Sequence, residues 1–359
     1  MRSRLSIEGR RRRAAALAPV ALAAVLVVAA LATSAFAGPE KGAGQQQYTI
    51  GVSNTLVGNG WREGMICSIK AQALKSGQVS SLRIAHRQTD TAGQIADIRS
   101  LISAGVNAII INPSSPTALK PIAAQARARG IQVVFIDQYV NAPGAYNATN
   151  DQVAYGRLGA EWLFKKLKGR GNVVEMRGIA GVPADTDRHK GFQQALRKYR
   201  NIRVVKSVFT GWQFAPGGKQ MLDLLNSGQR VNGVWTSGID YTVVNAFRTA
   251  RKPYVPVVGA DNFGFIRQVK SRYPRFQGAA VTNPSSIGGV GVTVALRALN
   301  KQSVPRWVKL KPDIWTWPAD KAKINRYASP RAPADGSAQI QINPWTTYSL
   351  SQYRACKGP

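Results

Sequence analysis

The sequence predicts an α/β protein built as two doubly wound lobes, each around a parallel sheet. Short apolar, β-branched runs alternate with amphipathic helical stretches from about residue 47 onward. The runs are apolar along their whole length, as in parallel strands that helices cover on both faces. With 359 residues, of which 44% are hydrophobic, the chain is long enough for two such lobes.

The apolar runs, in chain order, predict nine strands. They span 49–52, 82–86, 108–112, 133–137, 172–176, 204–208, 233–236, 255–259 and 278–282. Helical periodicity between the runs predicts helices at 93–103, 117–129, 153–167, 218–225, 242–250 and 287–299. Strands joined in this way are expected to be connected by right-handed crossovers.

The first 37 residues have the pattern of a secretory signal peptide. Arg2, Arg4 and the arginines at 10–13 precede an uncharged stretch at 14–39, and an Ala-Phe-Ala cleavage pattern ends at Ala37. We therefore expect export to a periplasm or to the extracellular or cell-wall space. Residues 38–47 are expected to form a flexible mature N-terminus. A transmembrane anchor is the alternative interpretation of the apolar stretch.

The charge is unusual, with 49 Lys and Arg against 17 Asp and Glu, a formal net charge of +32. Residues 1–37 hold six Arg and one Glu, so their removal leaves 43 basic and 16 acidic residues, net +27. Such a charge is typical of nucleic-acid binding. An exported protein rarely meets nucleic acid, however, and the basic residues are scattered. We therefore expect no nucleic-acid partner and a solvated basic surface, or one that lies against an anionic membrane or wall.

The chain contains two Cys and two His, which excludes a zinc ribbon, an Fe–S cluster and a disulfide scaffold. It has no G-x-S-x-G motif, no Walker A motif and no G-x-G-x-x-G after the first strand. We therefore expect no enzyme activity, no cofactor and no metal. Cys67 and Cys356 could form one disulfide that attaches the tail to the first lobe, or Cys67 could be a free buried thiol.

Polar residues follow several of the predicted strands, among them Asp137, Asp240 and Asp261. Any one of them could be a helix N-cap. Because the carboxyl ends of parallel strands point at the ligand crevice of an open α/β sheet, their recurrence predicts a polar cleft.

Several segments together resemble the type I periplasmic solute-binding proteins, in particular the ribose-binding-like sugar receptors of ABC importers. The strongest is Val-Glu-Met-Arg-Gly-Ile-Ala-Gly at 174–181 followed by Gly-Phe-Gln-Gln-Ala at 191–195. Shorter ones are Ile-Asn-Pro at 111–113, Phe-Ile-Asp at 135–137, Asn-Asp at 150–151 and Val-Val-Gly-Ala-Asp at 257–261. The resemblance runs from about residue 48 to 310.

The resemblance implies two lobes joined by a hinge of three crossings, near Asn150, Asn283 and Pro312. The first lobe would comprise 48–150 and 284–312, and the second 151–283 and 313–359 with an extended tail. A sugar or related polyol would be captured between the lobes and delivered to an ABC permease with its ATPase subunits. The protein would act as a monomer.

The resemblance also implies a set of ligand contacts. They are Ser53, Asn54, Asn59, Trp61, Asp90, Asp137, Tyr139, Asn150, Asp187, Arg188, Trp212, Asp240, Asp261, Thr282 and Asn283. Carboxylates and amides suit sugar hydroxyls, which both donate and accept hydrogen bonds. Thr186 stands where ribose receptors have an arginine, flanked by Asp187 and Arg188, and 237–240 has one extra residue. The pocket is therefore not that of a ribose receptor.

Three alternatives remain open at this stage. The same fold could bind a nucleoside, an amino-acid-like compound or a signalling furanone, for transport or for sensing. A basic surface-binding protein could use its charge against anionic polymers. An enzyme is the third class, and the missing nucleophile–base set counts against it.

Overall fold

We analysed a computed structural model of the protein, which describes residues 46–271 and 276–359. The predicted signal peptide and residues 38–45 of the predicted N-terminal segment lie outside the described residues. The described part contains twelve strands and eleven helices.

The strands are β1 Tyr48–Asn54, β2 Val79–His86, β3 Ala108–Ile111, β4 Gln132–Asp137, β5 Tyr146–Asn150, β6 Arg170–Arg177, β7 Asn201–Phe209, β8 Gly233–Thr236, β9 Val257–Ala260, β10 Gly278–Val281, β11 Trp307–Leu310 and β12 Ile314–Thr316. The helices are α1 Gly60–Ser76, α2 Thr91–Ser103, α3 Lys120–Ala128, α4 Gln152–Lys166, α5 Pro183–Leu196, α6 Phe214–Asn226, α7 Asp240–Thr249, α8 Phe263–Lys270, α9 Ile287–Leu299, α10 Lys321–Tyr327 and α11 Leu350–Ala355.

The strands form two six-stranded sheets, one in each lobe. The first has the order β11-β5-β4-β3-β1-β2 and is parallel throughout. The second has the order β12-β10-β9-β8-β6-β7 and is parallel except for β12, which runs antiparallel to β10. The predicted fold class is confirmed.

Helices cover both faces of each sheet, which explains why the central strands are apolar along their length. In the first lobe, α1 and α9 pack on one face and α2 and α3 on the other. In the second lobe, α4 and α5 cover one face, and α6, α7 and α8 cover the other. Strand β3, Ala-Ile-Ile-Ile, is completely buried between such layers.

All nine predicted strands are present: five are one to four residues longer than predicted, one has the predicted bounds and three are one residue shorter. Helix α9 also has the predicted bounds. Strands β5, β11 and β12 were not predicted. They are three to five residues long and β5 reads Tyr-Asn-Ala-Thr-Asn, so they carry little apolar pattern of their own. Each is a strand because it pairs with a neighbour already held in a sheet.

Three crossings join the two lobes. The chain passes from β5 to α4 at Asn150 and Asp151, from β10 to α9 at 282–286, and from β11 to β12 at 311–313. The second and third crossings are bonded to each other. Thr282 N donates to Asp313 O at 2.8 Å, and Asp313 N donates to Thr282 Oγ1 at 2.8 Å.

The C-terminal tail makes a fourth connection, which corrects the assignment of all of 313–359 to the second lobe. Helix α10 packs on α8 and β12 of the second lobe. Beyond residue 340 the chain lies on the first lobe, where Ile342 joins the apolar core and α11 packs on α1. The assignment was wrong for this last part because its apolar side chains fill the first core.

A disulfide joins Cys67 on α1 to Cys356, directly after α11. Of the two alternatives left open by the sequence, the structure therefore has the disulfide rather than the free thiol. The bond closes a loop of 289 residues and holds the end of the tail against the first lobe. Within 46–271 and 276–359, no helix has both the length and the apolarity needed to cross a membrane.

Candidate functional site

A cavity of about 50 Å³ lies between the lobes, at the carboxyl ends of the strands. Both lobes, the hinge and the tail contribute to its wall. It is lined by Leu56, Asn59, Trp61, Arg62, Asp137, Ala184, Arg188, Trp212, Phe214, Ser237, Gly238, Ala260, Asp261, Asn262, Asn283, Asp335 and Ser337.

The start of α1 forms one side of the cavity. Asn59 is the N-cap, and its Oδ1 accepts from the main-chain N–H groups of Trp61 and Arg62. The Arg62 guanidinium is buried and donates to Asn54 Oδ1 at 2.6 Å. Burial lowers the pKa of Arg62 to about 10, opposed by the nearby Asp137 carboxylate and assisted by Arg188. Arg62 therefore brings a fixed cation to the cavity.

Asp137 ends β4 and points its carboxylate at the same space. Its Oδ1 accepts from Asn150 Nδ2 at 3.0 Å and from Gln152 Nε2 at 2.9 Å. Burial raises the pKa of this carboxyl group, and the Arg188 and Arg62 guanidinium groups act in the opposite direction. Asp137 has a left-handed φ of 67°, which non-glycine residues adopt at a cost of about 1–3 kcal/mol, a form of strain that clusters at binding sites.

Arg188, on α5 of the second lobe, connects the two sides. Its Nε donates to Gln152 Oε1 at 2.8 Å and its Nη1 donates to Ser237 O at 2.9 Å. The guanidinium also lies over the Tyr155 ring, 4.1 Å from its centroid. Because Gln152 also bonds Asp137, these contacts form one chain of polar groups through the hinge.

Trp212 supplies an aromatic surface from the second lobe. Its Nε1 donates to Ser237 O at 2.9 Å, which fixes the ring, and its φ of 54° is also left-handed. Asn59 Nδ2 donates to the Trp212 carbonyl at 2.9 Å, directly from one lobe to the other. Trp61 Nε1 donates to the carbonyl of Asn283 in the hinge at 2.5 Å.

Asp261, directly after β9, has a buried carboxyl group that is not fully hydrogen-bonded. It is fully buried, main-chain N–H groups of Asn283 and of Asp261 itself bond its carboxyl group, and its Oδ2 has no partner. Burial raises the pKa of Asp261 to about 7. Asp240 lies behind, accepts from Thr236 Oγ1 and Asn262 Nδ2, and has a pKa raised by burial to about 6.

The structure brings seven of the fifteen predicted contacts into the cavity wall. They are Asn59, Trp61, Asp137, Arg188, Trp212, Asp261 and Asn283. Asn54, Asn150 and Asp240 lie directly behind this wall, where they hold Arg62, Asp137 and Asn262.

The other five predicted contacts lie away from the cavity wall. Asp90 caps α2 by accepting from Gly93 N, and Tyr139 is exposed and packs on Trp307. Ser53 accepts from Gln94 inside the first lobe, and Thr282 bonds Asp313 in the hinge. Asp187 precedes Arg188 on α5, so its side chain is turned by about 100° from the cavity.

Sequence reasoning missed several residues of the wall, including Arg62, Phe214, Asn262, Asp335 and Ser337. Arg62 lies three residues after the N-cap Asn59, in the first turn of α1, and this spacing could have identified it. Asn262 follows the predicted Asp261 and is both the N-cap of α8 and a cavity residue. Nothing local points to Asp335 or Ser337, because only the path of the tail brings them to the cavity.

The residues of the cavity are suited to hold a polyhydroxylated molecule. Carboxylates and amides can pair with hydroxyl groups, guanidinium groups can donate to oxygens, and indole rings offer apolar faces. Among the described residues, no group of three or more His, Cys, Asp or Glu side chains could hold a metal ion. His86 and His189 pair with Glu63 and Glu175, outside the cavity wall.

Comparison with known proteins gives consistent matches. The model of the periplasmic binding protein domain matches residues 50–303. The galactofuranose-binding protein YtfQ of Escherichia coli (strain K12) is 29% identical over 225 residues, which cover 60% of this chain and 68% of that protein. The xylitol-binding protein of Mycolicibacterium smegmatis is 30% identical over 211 residues, 57% of this chain and 60% of that protein.

A solved structure of an ABC transporter solute binding protein from Thermobispora bispora DSM 43833 has the same fold. It superimposes with a TM-score of 0.75 at 26% sequence identity, covering 86% of this chain and 94% of that one. The family match spans well over half of the chain and includes strands β1 to β10 of the two sheets, apart from the first two residues of β1. The chain therefore belongs to the type I periplasmic binding protein family.

Proposed function

We propose that this protein is an exported substrate-binding protein that captures a sugar or related polyol between its lobes and delivers it to an ABC import permease. The observation that carries the proposal is the unpartnered Oδ2 of buried Asp261, in a cavity shared with Asp137, Arg188 and two tryptophans. An unpaired buried acceptor costs about 1–3 kcal/mol, which a ligand hydroxyl would recover. Two of the relatives are named as galactofuranose-binding and xylitol-binding proteins, which supports the same ligand class.

Hinge closure is the mechanism we propose. Both lobes, the hinge and the tail surround the cavity, so the lobes have to separate before a monosaccharide can enter. Ligand that touches both lobes only in the closed form shifts the population toward that form. The bonded crossings at Thr282 and Asp313 keep the two lobes in register while they move.

The proposal assigns no enzyme activity to the protein. The family consists of substrate-binding proteins. Among the described residues that line the cavity, no serine or other nucleophile is paired with a histidine base. We propose further that the mature chain begins near residue 38, acts as a monomer in the periplasm or outside the cell, and meets a permease with separate ATPase subunits.

A thermal-shift screen of residues 38–359 against monosaccharides, polyols, nucleosides and amino acids tests the function. A ligand at 100 times its Kd raises the free energy of unfolding by about 2.7 kcal/mol. We expect a hit among the sugars or polyols that is lost in Asp261→Ala and Asp137→Ala and kept in Asp223→Ala, an exposed control on α6. A hit only among nucleosides or amino acids would show that the proposed ligand class is wrong, while the role as a substrate-binding protein would still stand.

Titration with an anionic polymer at low and high salt tests the surface-binding alternative. Binding driven by the net charge of +27 on residues 38–359 should collapse as salt rises, whereas binding in a closed cavity should change little. Polymer binding with no small-molecule hit in the screen would contradict the proposed function.

A further inference from the structure

The tail contributes a wall to the cavity, and this wall is attached to the second lobe by main-chain bonds. Phe263 N donates to Gly336 O and Gly264 N donates to Ala334 O, both at 2.8 Å. Ala338 N donates to the carbonyl of Asp261 at 2.8 Å. The segment 334–338 therefore follows the loop that carries Asp261, as a short additional edge of the second lobe.

The same segment also touches the first lobe and the hinge. Gln339, the residue directly after the segment, donates from its Nε2 to Ser285 Oγ in the hinge at 3.1 Å. A Cβ on Gly60, at the start of α1, would lie 2.6 Å from the main-chain carbonyl of Asp335, and a Cβ on Gly264 would lie 2.9 Å from Ala334 O. Only glycine leaves room for the tail at these two positions, one in each lobe. The tail is therefore seated closely between the lobes.

Two polar side chains of this segment line the cavity, Asp335 and Ser337. Ser337 is 1% exposed, and its hydroxyl lies 3.5 Å from Asp261 Oδ1, on the carboxyl group whose other oxygen has no partner. With Asp335, the cavity wall holds three carboxyl groups against the two guanidinium groups of Arg62 and Arg188. The cavity thus lacks the excess of positive charge that the whole chain carries.

We infer that Asp335 and Ser337 of the tail determine ligand selectivity, and that the site takes neutral polyols and rejects their anionic counterparts. This inference rests on the proposed function and deepens it. Ser337 and Asp261 together present a hydroxyl and a carboxylate to ligand hydroxyls. Asp335 adds a further carboxyl group to the cavity wall, so a carboxylate or phosphate on the ligand meets repulsion that a neutral hydroxyl does not.

The experiment is calorimetric titration of the mature protein, with its disulfide intact, against matched neutral and anionic compounds. The pairs are xylitol with xylonate, and ribose with ribose 5-phosphate. The test variants are Asp335→Asn and Ser337→Ala. The controls are Asp223→Asn, an exposed carboxylate on α6, and Ser329→Ala, a tail serine outside the cavity wall.

We expect both test variants to weaken the tighter neutral compound by about fivefold or more, the loss of one hydrogen bond. Asp335→Asn should also narrow the preference for the neutral over the anionic member of each pair by about fivefold. A purely structural role would lower the melting temperature of the free variants and leave this ratio unchanged, so both are measured. Neither control should change affinity or ratio.

Three outcomes overturn the inference. If wild type binds a neutral compound and both test variants behave like the controls, the tail does not set selectivity and the proposed function stands. If wild type prefers the anionic members, the assigned ligand charge is wrong. If wild type binds no sugar or polyol at all, both the proposed function and the inference are wrong. Should Ser337→Ala fail to fold, the nearly isosteric Asp335→Asn decides.

Discussion

Asn59 and Trp212 join the two lobes directly, because Asn59 Nδ2 donates to the Trp212 main-chain carbonyl at 2.9 Å. The same asparagine caps α1 through its other side-chain atom, Oδ1. Asn59 therefore both caps α1 and forms a hydrogen bond that joins the two lobes across the cleft. The two roles use different atoms, so they can be separated by substitution.

Asn59→Asp should keep the cap of α1 and lose the hydrogen bond to the Trp212 carbonyl. The carboxylate can still accept from the N–H groups at the start of α1, whereas it has no hydrogen to donate to Trp212 O. We expect a loss of about 1 kcal/mol from the closed state, a roughly fivefold weaker Kd, and a larger radius of gyration by small-angle scattering.

Asn59→Ala is the matched comparison, since it removes both the cap of α1 and the hydrogen bond to the Trp212 carbonyl. It should lower the free energy of unfolding by about a further 1 kcal/mol. Equal affinity and equal compactness in wild type and Asn59→Asp would show that the contact with Trp212 does not govern closure.

Arg188→Met should abolish ligand binding. Arg188 bonds both Gln152 and Ser237, and its charge opposes the rise in the pKa of the Asp137 carboxyl group that burial causes. Removing one partner from a buried charged network costs about 3–5 kcal/mol, so we expect affinity to fall by at least about 100-fold in calorimetric titration.

Arg188→Lys should also bind weakly, because an ammonium cannot donate in two fixed directions as the guanidinium does. Arg157→Lys, a partly exposed residue on α4 paired with Glu161, is the control and should bind as wild type does. Circular dichroism should show that all three variants are folded. Retained affinity in a folded Arg188→Met would contradict the assigned role.

Asp261 makes stability depend on pH. Its pKa is about 7 in the folded protein, whereas an unfolded aspartate has a pKa of about 4. Between these values the folded state keeps a proton that the unfolded state has lost. The free energy of unfolding should therefore fall as pH rises from about 4 to about 7, and the full destabilisation should be present above pH 7. Asp240, with a pKa of about 6, acts in the same direction.

Asp261→Asn removes this cost and should make the ligand-free protein more stable than wild type at pH 8, by up to about 4 kcal/mol. The difference should disappear toward pH 4. Urea unfolding at both pH values measures it, with the exposed Asp223→Asn as the control. A variant less stable than wild type at pH 8 would show that the ionised carboxylate is well solvated in the fold.

Loss of the disulfide should destabilise the protein and release the end of the tail. The Cys67–Cys356 bond closes a loop of 289 residues, so it restricts the unfolded chain strongly. We expect the double variant Cys67→Ser with Cys356→Ser to lose about 2–4 kcal/mol of unfolding free energy in urea. Protease should cut its last residues, including α11, before the sheets open.

Reductant provides the internal control for the disulfide. It should bring wild type to the stability of the double variant and leave the double variant unchanged. The same urea midpoint for both proteins without reductant would mean that packing of α11 on α1 is sufficient to hold the tail.

Local pattern was sufficient for most of the elements. Short β-branched runs such as Ala-Ile-Ile-Ile in β3 are typical of buried strands, and the apolar stretch of α9 has helical spacing. Strand-end carboxylates were also recognisable, since parallel strands direct Asp137 and Asp261 to one edge of each sheet. Local pattern could not assign a direction to each side chain, so it could not separate Arg188, which lines the cavity, from its neighbour Asp187, which does not.

The amino-acid sequence by itself determined the α/β class, the two lobes and the polar cleft, because these follow from periodicity within about ten residues. Only the tertiary structure decided that Cys67 and Cys356 pair, that the tail crosses back to the first lobe, and that Asp335 and Ser337 line the same cavity as Asp261. These contacts join residues about 75 to 290 positions apart. No local preference specifies them, since they form only where the packing of both lobes leaves room for the tail.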